Sequence, residues 1–272
     1  MDLTKYPGTA QLDQEELMSL WWYQPYTFSN DLVSGLAPQF FMKGLDTSIY
    51  RRSDHPKRFN KLQDISNRNA HMYQDWGQAL CDLSKIDVRQ ASVFEMACNS
   101  GYFLYWLKQQ GARHCVGIDQ ADLGRQQEIL NGVTGIDDID FREGRWSSDA
   151  HAIQGLSEGE EFDLTICTGF AQHISDPLHL IKEMSKVTKR AMLFQSLVGY
   201  FTMGMKIRYV PADHHEKWGD TFPNSFDTRM GRKLFWWSLK ECGFKEIIQL
   251  PYSKKWLPSS WYRVFSTVVA IK

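Results

Sequence analysis

Small side chains follow an apolar run near the middle of the chain. The run ends at Glu95 and Met96, and Ala97, Asn99 and Gly101 come next at alternate positions. Small residues between a strand and a helix let the backbone approach a ligand closely, and the helix start offers free N–H groups. Only one of the three is glycine, so the stretch is a weak dinucleotide fingerprint. It nevertheless predicts a loop that binds a nucleotide-like ligand.

A second acidic residue, Asp119, ends the next apolar run, 18 residues after Gly101. A carboxylate at the end of the second strand of an open α/β sheet can accept hydrogen bonds from both hydroxyls of a ribose. The alternative is that Asp119 caps the following helix, since aspartate is common at helix starts. The two acidic positions together favour the ribose interpretation.

Histidines occur at two places where they would be able to accept a proton. His173 follows a later apolar run, and His214 and His215 lie in a long polar segment. His173 is the candidate catalytic base. The alternative is that its ring only packs under the ligand-binding loop. The adjacent His214 and His215 do not have the spacing of three or four residues that a helical metal site requires. We therefore expect no metal and assign these two to substrate contact.

Short apolar runs alternate with helical patterns from residue 91 onward, which is typical of βαβ units. We predict a Rossmann-like, doubly wound, mostly parallel sheet of seven strands in an α/β fold. The last two strands would form an antiparallel hairpin at the sheet edge. The predicted strands cover residues 91–98, 114–119, 139–142, 162–168, 191–195, 246–250 and 264–271. The predicted helices cover residues 72–86, 102–110, 123–130, 177–187 and 234–242.

These motifs as a set resemble the class I S-adenosylmethionine-dependent methyltransferases: EMACNSG, VGID, FDLTIC and HISDP, over about residues 90–272. The resemblance implies S-adenosyl-L-methionine as cofactor. Residues implied to surround its methionine and ribose are Glu95, Ala97, Cys98, Gly101 and Asp119. Those implied to border the adenine are Gln120, Gly144, Arg145 and Trp146, and those implied to face the reacting methyl are Thr168, Gly169 and Phe170.

The N-terminal stretch WYQPY, followed by LVSG, loosely resembles the start of the tRNA wobble-uridine carboxymethyltransferase group. The basic stretch 51–61 would then meet RNA, although a solvated surface is the preferred interpretation. Two other functions stay open: methyl or carboxymethyl transfer to a tRNA base, and a non-catalytic relative. The leading expectation is methylation of a small-molecule metabolite.

Composition limits the class of protein. The chain has 272 residues and a net charge of −1, which argues against a surface that grips nucleic acid throughout. We find no membrane-spanning run or signal peptide and expect a cytoplasmic protein without a membrane partner. The five cysteines lack a CxxC spacing and are expected to be buried and free. The residue patterns do not specify an oligomeric state.

The chain is divided in this interpretation into an N-terminal helical and aromatic cap at 1–88 and a methyltransferase domain at 89–272. A lid is expected at about 197–230, because a long irregular segment in a compact domain is usually functional. Aromatic side chains of the cap, Trp22, Tyr23 and Tyr26, are expected to line the substrate pocket. In the helix near 234–242 we expect Trp237 to face inward and Trp236 to face outward.

Overall fold

The computed structural model describes residues 1–35, 49–199, 203–209, 226–251 and 265–272. Six α-helices lie in these ranges: α1 (Gln14–Ser19), α2 (Phe59–Ser84), α3 (Tyr102–Gln109), α4 (Gly124–Thr134), α5 (Pro177–Val187) and α6 (Arg232–Glu241). Three short 3-10 helices accompany them at Pro7–Gln11, Val88–Gln90 and Ala171–His173. None of the described helices is both long enough and apolar enough to cross a membrane.

Fourteen strands are described. Three belong to the N-terminal part: β1 (Thr27–Ser29), β2 (Leu32–Ser34) and β3 (Ile49–Arg51). The others are β4 (Ser92–Met96), β5 (His114–Asp119), β6 (Ile139–Glu143), β7 (Trp146–Ser147), β8 (Ala152–Ile153), β9 (Phe162–Cys167), β10 (Thr188–Gly199), β11 (Met205–Tyr209), β12 (Phe226–Gly231), β13 (Glu246–Gln249) and β14 (Phe265–Ile271).

The central sheet contains the seven predicted strands in the order β6-β5-β4-β9-β10-β14-β13. The first five strands run parallel to one another. Strand β14 is antiparallel to both of its neighbours, so β13 runs in the same direction as the first five. Because the chain moves outward from β4 to β6 and then returns to β9 on the other side of β4, the strand order reverses beside β4. Ligands of open α/β sheets bind at such a reversal, at the carboxyl ends of the strands.

The sheet is buried on both faces, as the continuous apolar runs predict. All five residues of β4 are buried, and neighbours along the strand point into different clusters. Val93 packs with residues of α2 and α3, including Trp76 and Phe103. Phe94 packs in the cluster that contains Leu180 of α5 and residues of α6. Helices therefore cover both faces, and the predicted fold class is confirmed.

The N-terminal segment packs on the same side as α3. Its strands β1, β2 and β3 form a small antiparallel sheet. The rings of Trp22, Tyr26 and Phe28 contact one another, with Trp22 and Phe28 centroids 4.9 Å apart, and Tyr26 lies 5.6 Å from the ring of Tyr102. These aromatic side chains belong to the same apolar cluster as the helix that follows β4.

The segment predicted as a lid contains more regular structure than expected. Residues 197–199 continue β10, while β11 and β12 extend the sheet, with β12 parallel to the end of β10 and β11 antiparallel to β12. Residues 200–202 and 210–225 lie outside the described residues, so the lid itself stays a prediction.

Candidate functional site

The loop between β4 and α3 has an alternating backbone conformation. Ala97, Asn99 and Gly101 all have left-handed φ angles, of 55°, 51° and 82°. Glycine reaches this region without cost and asparagine does so more readily than most residues, whereas alanine is strained there. At Gly101 a side chain would also collide with Phe141, since an added Cβ would lie 2.6 Å from its Cζ. The backbone path that alternate glycines favour is therefore kept although two of the glycines are absent.

Asp119 at the end of β5 holds this loop in place. Its Oδ2 accepts a hydrogen bond from the Asn99 amide at 2.8 Å, and its Oδ1 accepts one from the Ala121 amide at 2.9 Å. Asp119 is not the cap of α4, because the N-cap residue is Leu123. Burial raises the pKa of Asp119, and the backbone amides partly offset that rise. The side chain remains partly exposed, and each carboxylate oxygen can accept a further bond.

Glu95, in β4 just before the loop, is the second acid of the site. The residue is 1% exposed, and its Oε2 is buried without a hydrogen bond from any described residue. Burial first, and the nearby charge of Asp119 second, raise the pKa of Glu95 well above its ordinary value. A buried carboxyl group in this state favours a cationic ligand such as an ammonium group, which would both neutralise it and donate to it. The residues present therefore fit the amino and ribose groups of the implied cofactor.

The loop after β6 approaches the same edge of the sheet. The Gly144 amide donates to the Asp119 carbonyl at 2.9 Å, so this loop sits directly against the end of β5. Trp146 is buried and its Nε1 donates to Asp176 Oδ1 at 2.9 Å. Arg145 and Gln120 are exposed. The structure thus brings the predicted adenine-side residues to the end of β5, with Trp146 turned into the core.

The carboxyl end of β9 supplies the third wall. Thr168 and Gly169 are partly exposed, and Phe170 is buried. His173 ends the short 3-10 helix that follows. Its Nε2 lies 3.3 Å from the side-chain nitrogen Nε2 of Gln172. The same amide donates to the Gly169 carbonyl at 2.6 Å. His173 is therefore at the strand end where the sequence predicted it, on the side away from β5.

Two of the side chains predicted to line the substrate pocket are buried in the core instead. Trp22 and Tyr26 are 0% exposed, and the Trp22 Nε1 donates to the Leu17 carbonyl inside the N-terminal segment. Their aromatic surface fills the core because the cap packs directly on α3. Tyr23 is partly exposed, although burial raises the pKa of its hydroxyl to about 12. His214 and His215 lie outside the described residues.

One cluster at this edge was not expected from the sequence. His151, Asp176 and His179 place possible metal-ligand atoms within 4.8 Å of one another, and the two imidazole rings stack at 3.9 Å. Both histidines are exposed, and no further observation points to an ion there. Asp176 and His179 lie three residues apart at the start of α5, whereas His151 comes from the turn between β7 and β8, so no local sequence pattern joined the three.

Comparison with known proteins identifies the family of the chain. A methyltransferase domain family matches residues 68–246, which is more than half of the chain. The tRNA U34 carboxymethyltransferase of Campylobacter jejuni (strain RM1221) is 24% identical over 62% of this chain and 54% of that protein. The ubiquinone biosynthesis O-methyltransferase of Hahella chejuensis (strain KCTC 2396) is 29% identical over 39% of this chain and 44% of that protein. The chain thus spans about half the length of the curated relatives it matches.

Solved structures share the fold at low sequence identity. The N-terminal domain of EvdMO1 with SAH bound has a TM-score of 0.58 and 14% identity, with 96% of both chains covered. Magnesium protoporphyrin IX methyltransferase (ChlM) from Synechocystis PCC 6803 with bound SAH has a TM-score of 0.51 and 15% identity, with 77% of this chain and 86% of that chain covered. The chain belongs to the methyltransferase domain family, and its predicted place among the S-adenosylmethionine-dependent methyltransferases is confirmed.

Proposed function

We propose that the protein transfers a methyl group from S-adenosylmethionine to a small-molecule metabolite. The observation that carries the proposal is the loop of left-handed residues between Ala97 and Gly101, bordered by the unpartnered carboxyl of Glu95 and by Asp119. A sulfonium nucleoside needs three features. The loop offers exposed backbone, Glu95 offers an acceptor for the ammonium group, and Asp119 offers an acceptor for the ribose hydroxyls. The non-catalytic alternative is less favoured because the loop keeps this path without its glycines.

In the proposed reaction the bound cofactor supplies an electrophilic methyl group on a sulfonium centre. Glu95 accepts hydrogen bonds from the ammonium group, and Asp119 accepts them from the ribose hydroxyls. Gln120 and Arg145 border the adenine, and Trp146 supports this side of the site from within the core. Thr168, Gly169 and Phe170 enclose the space beside the methyl group. Because the leaving group is already good, the residues contribute mainly alignment and the exclusion of water.

His173 is the proposed base. A base is needed only when the nucleophile carries a proton at neutral pH. His173 is partly exposed at the end of β9, next to Gly169, where an acceptor substrate would enter. The side-chain nitrogen of the neighbouring Gln172 contacts the ring at Nε2, so this contact helps to orient the imidazole.

A small molecule is favoured over RNA because acidic residues pair with two arginines of the basic stretch. Arg51 pairs with Glu15 at 2.7 Å, and Arg52 pairs with Asp31. Arg52 also lies over the Phe59 ring, 4.7 Å from its centroid. These two arginines pair with acids of the protein itself, whereas Lys57, Arg58 and Lys61 of the same stretch are exposed. The similarity to tRNA U34 carboxymethyltransferases keeps a tRNA base as the second candidate.

Calorimetry with S-adenosylhomocysteine tests the proposal. The wild-type protein is expected to bind, and Asp119→Ala is expected to weaken binding by about 1–3 kcal/mol because charge-assisted hydrogen bonds are lost. Asp122→Ala is the matched control: Asp122 accepts from the Gly124 amide at 3.2 Å in the same turn and has no bond to the cofactor loop. A wild-type protein that releases no heat and shows no thermal shift would exclude the proposed cofactor.

A further inference from the structure

Gln24, in the N-terminal segment, reaches into the cofactor loop. The residue is 4% exposed, and its side-chain amide makes three hydrogen bonds to the loop. Nε2 donates to the Cys98 carbonyl at 3.2 Å. Oε1 accepts from Ser100 Oγ at 3.0 Å and from the Tyr102 amide at 2.9 Å. One side chain, more than 70 positions away in sequence, therefore holds both ends of the turn.

The bond to Tyr102 replaces a missing helix cap. Tyr102 is the first residue of α3, and the N-cap position is Gly101, which has no side chain to accept from the first helical amides. An unsatisfied amide at a buried helix start costs free energy comparable to a lost hydrogen bond. Gln24 satisfies that amide from outside the helix, so α3 starts where the cofactor loop needs it to start.

Gln24 is itself fixed by the N-terminal sheet. Ser34 Oγ donates to the Gln24 carbonyl at 2.9 Å and accepts from the Tyr26 amide at 3.0 Å. The Ser34 carbonyl in turn accepts from Ser66 Oγ of α2 at 2.7 Å. A chain of buried hydrogen bonds thus leads from α2 through β2 to the loop, and its members are buried.

The loop needs such external support because its own conformation is unfavourable. Left-handed backbone costs about 1–2 kcal/mol per residue for most side chains, and Ala97 gains no compensation from its methyl group. We propose that Gln24 is a positioning residue that holds residues 98–102 in the conformation that binds the cofactor. This inference rests on the proposed function. It makes the N-terminal segment part of the cofactor site, and not only a cover for a substrate.

The test is S-adenosylhomocysteine binding by Gln24→Met, which keeps the length of the side chain and removes its donor and acceptor. We expect the dissociation constant to rise about 10-fold or more. Gln126→Met is the matched control. Gln126 is also a buried glutamine, 5% exposed, and its Nε2 donates to the Trp21 carbonyl at 3.0 Å without contacting the loop. The dissociation constant of Gln126→Met should stay within about 2-fold of the wild-type value, because the substituted side chain is remote from the loop.

Two further readouts separate positioning from general damage. Hydrogen exchange of the Tyr102 amide in the cofactor-free protein should accelerate in Gln24→Met and not in Gln126→Met. Adding Ala97→Gly to Gln24→Met should recover part of the lost affinity, because glycine adopts the left-handed conformation of residue 97 at no steric cost. If Gln24→Met does not fold, Ser100→Ala removes one of the three bonds and is expected to raise the dissociation constant about 3-fold, as for a single hydrogen bond.

The outcomes are distinguishable. Wild-type binding together with unchanged binding by Gln24→Met, or by Ser100→Ala where the first variant does not fold, overturns the positioning role and leaves the proposed function intact. A wild-type protein that does not bind S-adenosylhomocysteine overturns the proposed function, and this inference with it. Equal losses in Gln24→Met and Gln126→Met, without rescue by Ala97→Gly, would reduce Gln24 to a packing residue.

Discussion

At the residue scale, the two acids of the site differ in how the fold satisfies them. Asp119 accepts hydrogen bonds from the amides of Asn99 and Ala121, whereas Glu95 Oε2 accepts none from the part of the chain that the structure describes. A buried carboxyl without partners favours its neutral form, so the folded protein holds this proton more tightly than the unfolded chain does. Glu95 therefore lowers the stability of the cofactor-free protein while offering a site for a cation.

Glu95→Gln is predicted to stabilise the cofactor-free protein and to weaken its binding of S-adenosylhomocysteine. The folded-state pKa of Glu95 lies above its ordinary value of 4.5, so wild-type stability falls as pH rises from about 4.5 through the raised pKa. Glutamine at position 95 does not ionise, so the variant does not lose stability in this way as pH rises. Urea unfolding at pH 5 and pH 8 should show the variant gaining on the order of 1–3 kcal/mol over the wild type, mainly at the higher pH.

Glu143→Gln, an exposed acid at the end of β6, is the control for this comparison. The pH dependence of its unfolding free energy should match that of the wild type. A Glu95→Gln variant with the same pH dependence as the wild type would contradict the buried, unpartnered state of Glu95.

Sequence reasoning identified the residues of the loop more easily than the residues that support it. Alternate small residues after a buried run predict a close-approach turn, and Ala97 and Asn99 indeed take left-handed angles. The contact of Gln24 with this turn joins distant parts of the chain, and no local pattern encodes it. Trp22 and Tyr26 show the converse: an aromatic cluster has the same appearance in sequence whether it fills a core or lines a pocket.

At the element scale, Asp176 joins two elements at the edge of the sheet. The residue precedes α5 but does not cap it with its side chain. Its Oδ1 accepts from Trp146 Nε1 at 2.9 Å and Ser148 Oγ at 3.0 Å, and its Oδ2 lies 3.1 Å from His151 Nδ1. The carboxylate therefore fastens the β7–β8 hairpin to the start of α5, beside the proposed adenine side of the site.

Asp176→Ala is predicted to lower the free energy of unfolding by about 1–3 kcal/mol, because the buried indole N–H of Trp146 loses its acceptor. Hydrogen exchange should accelerate in residues 146–153 before it changes in the central strands. Asp149→Ala, an exposed acid in the turn of the same hairpin, should leave both measurements unchanged. Equal exchange in wild type and Asp176→Ala would show that the hairpin is held by other contacts.

The bounds of buried elements were predicted well from their apolar runs. Short or exposed elements were not. Strand β5 and helix α5 have the predicted bounds, since burial on both faces or a proline start marks them clearly. The two-residue strands β7 and β8 are too short for any periodicity. In α6 the buried face contains Phe235, Ser238 and Leu239, which turns Trp237 outward at 50% exposure and leaves Trp236 partly buried. The expected facing of these two tryptophans is therefore wrong.

At the scale of the whole molecule, charge distinguishes the two proposed substrate classes. Lysines and arginines number 31 and acidic residues 32, and the acids Glu15 and Asp31 engage the arginines of the basic stretch. Binding to nucleic acid draws most of its free energy from phosphate contacts and weakens steeply with salt. A surface with balanced charge, on which two arginines of the densest basic stretch are already paired with acids, offers few such contacts. A small molecule needs only a pocket at the sheet edge.

Replacing Arg51, Arg52 and Arg58 together with alanine is therefore predicted to leave methyl transfer to a small molecule unchanged within about 2-fold, since exposed charges away from the site contribute little. The wild-type protein is predicted to show no specific tRNA binding in filter-binding assays at about 0.15 M salt, where non-specific contacts are weak. Lys206→Ala, at an exposed lysine of β11, is the charge control. Tight tRNA binding that the triple variant abolishes and Lys206→Ala retains would transfer the proposed substrate from a metabolite to RNA.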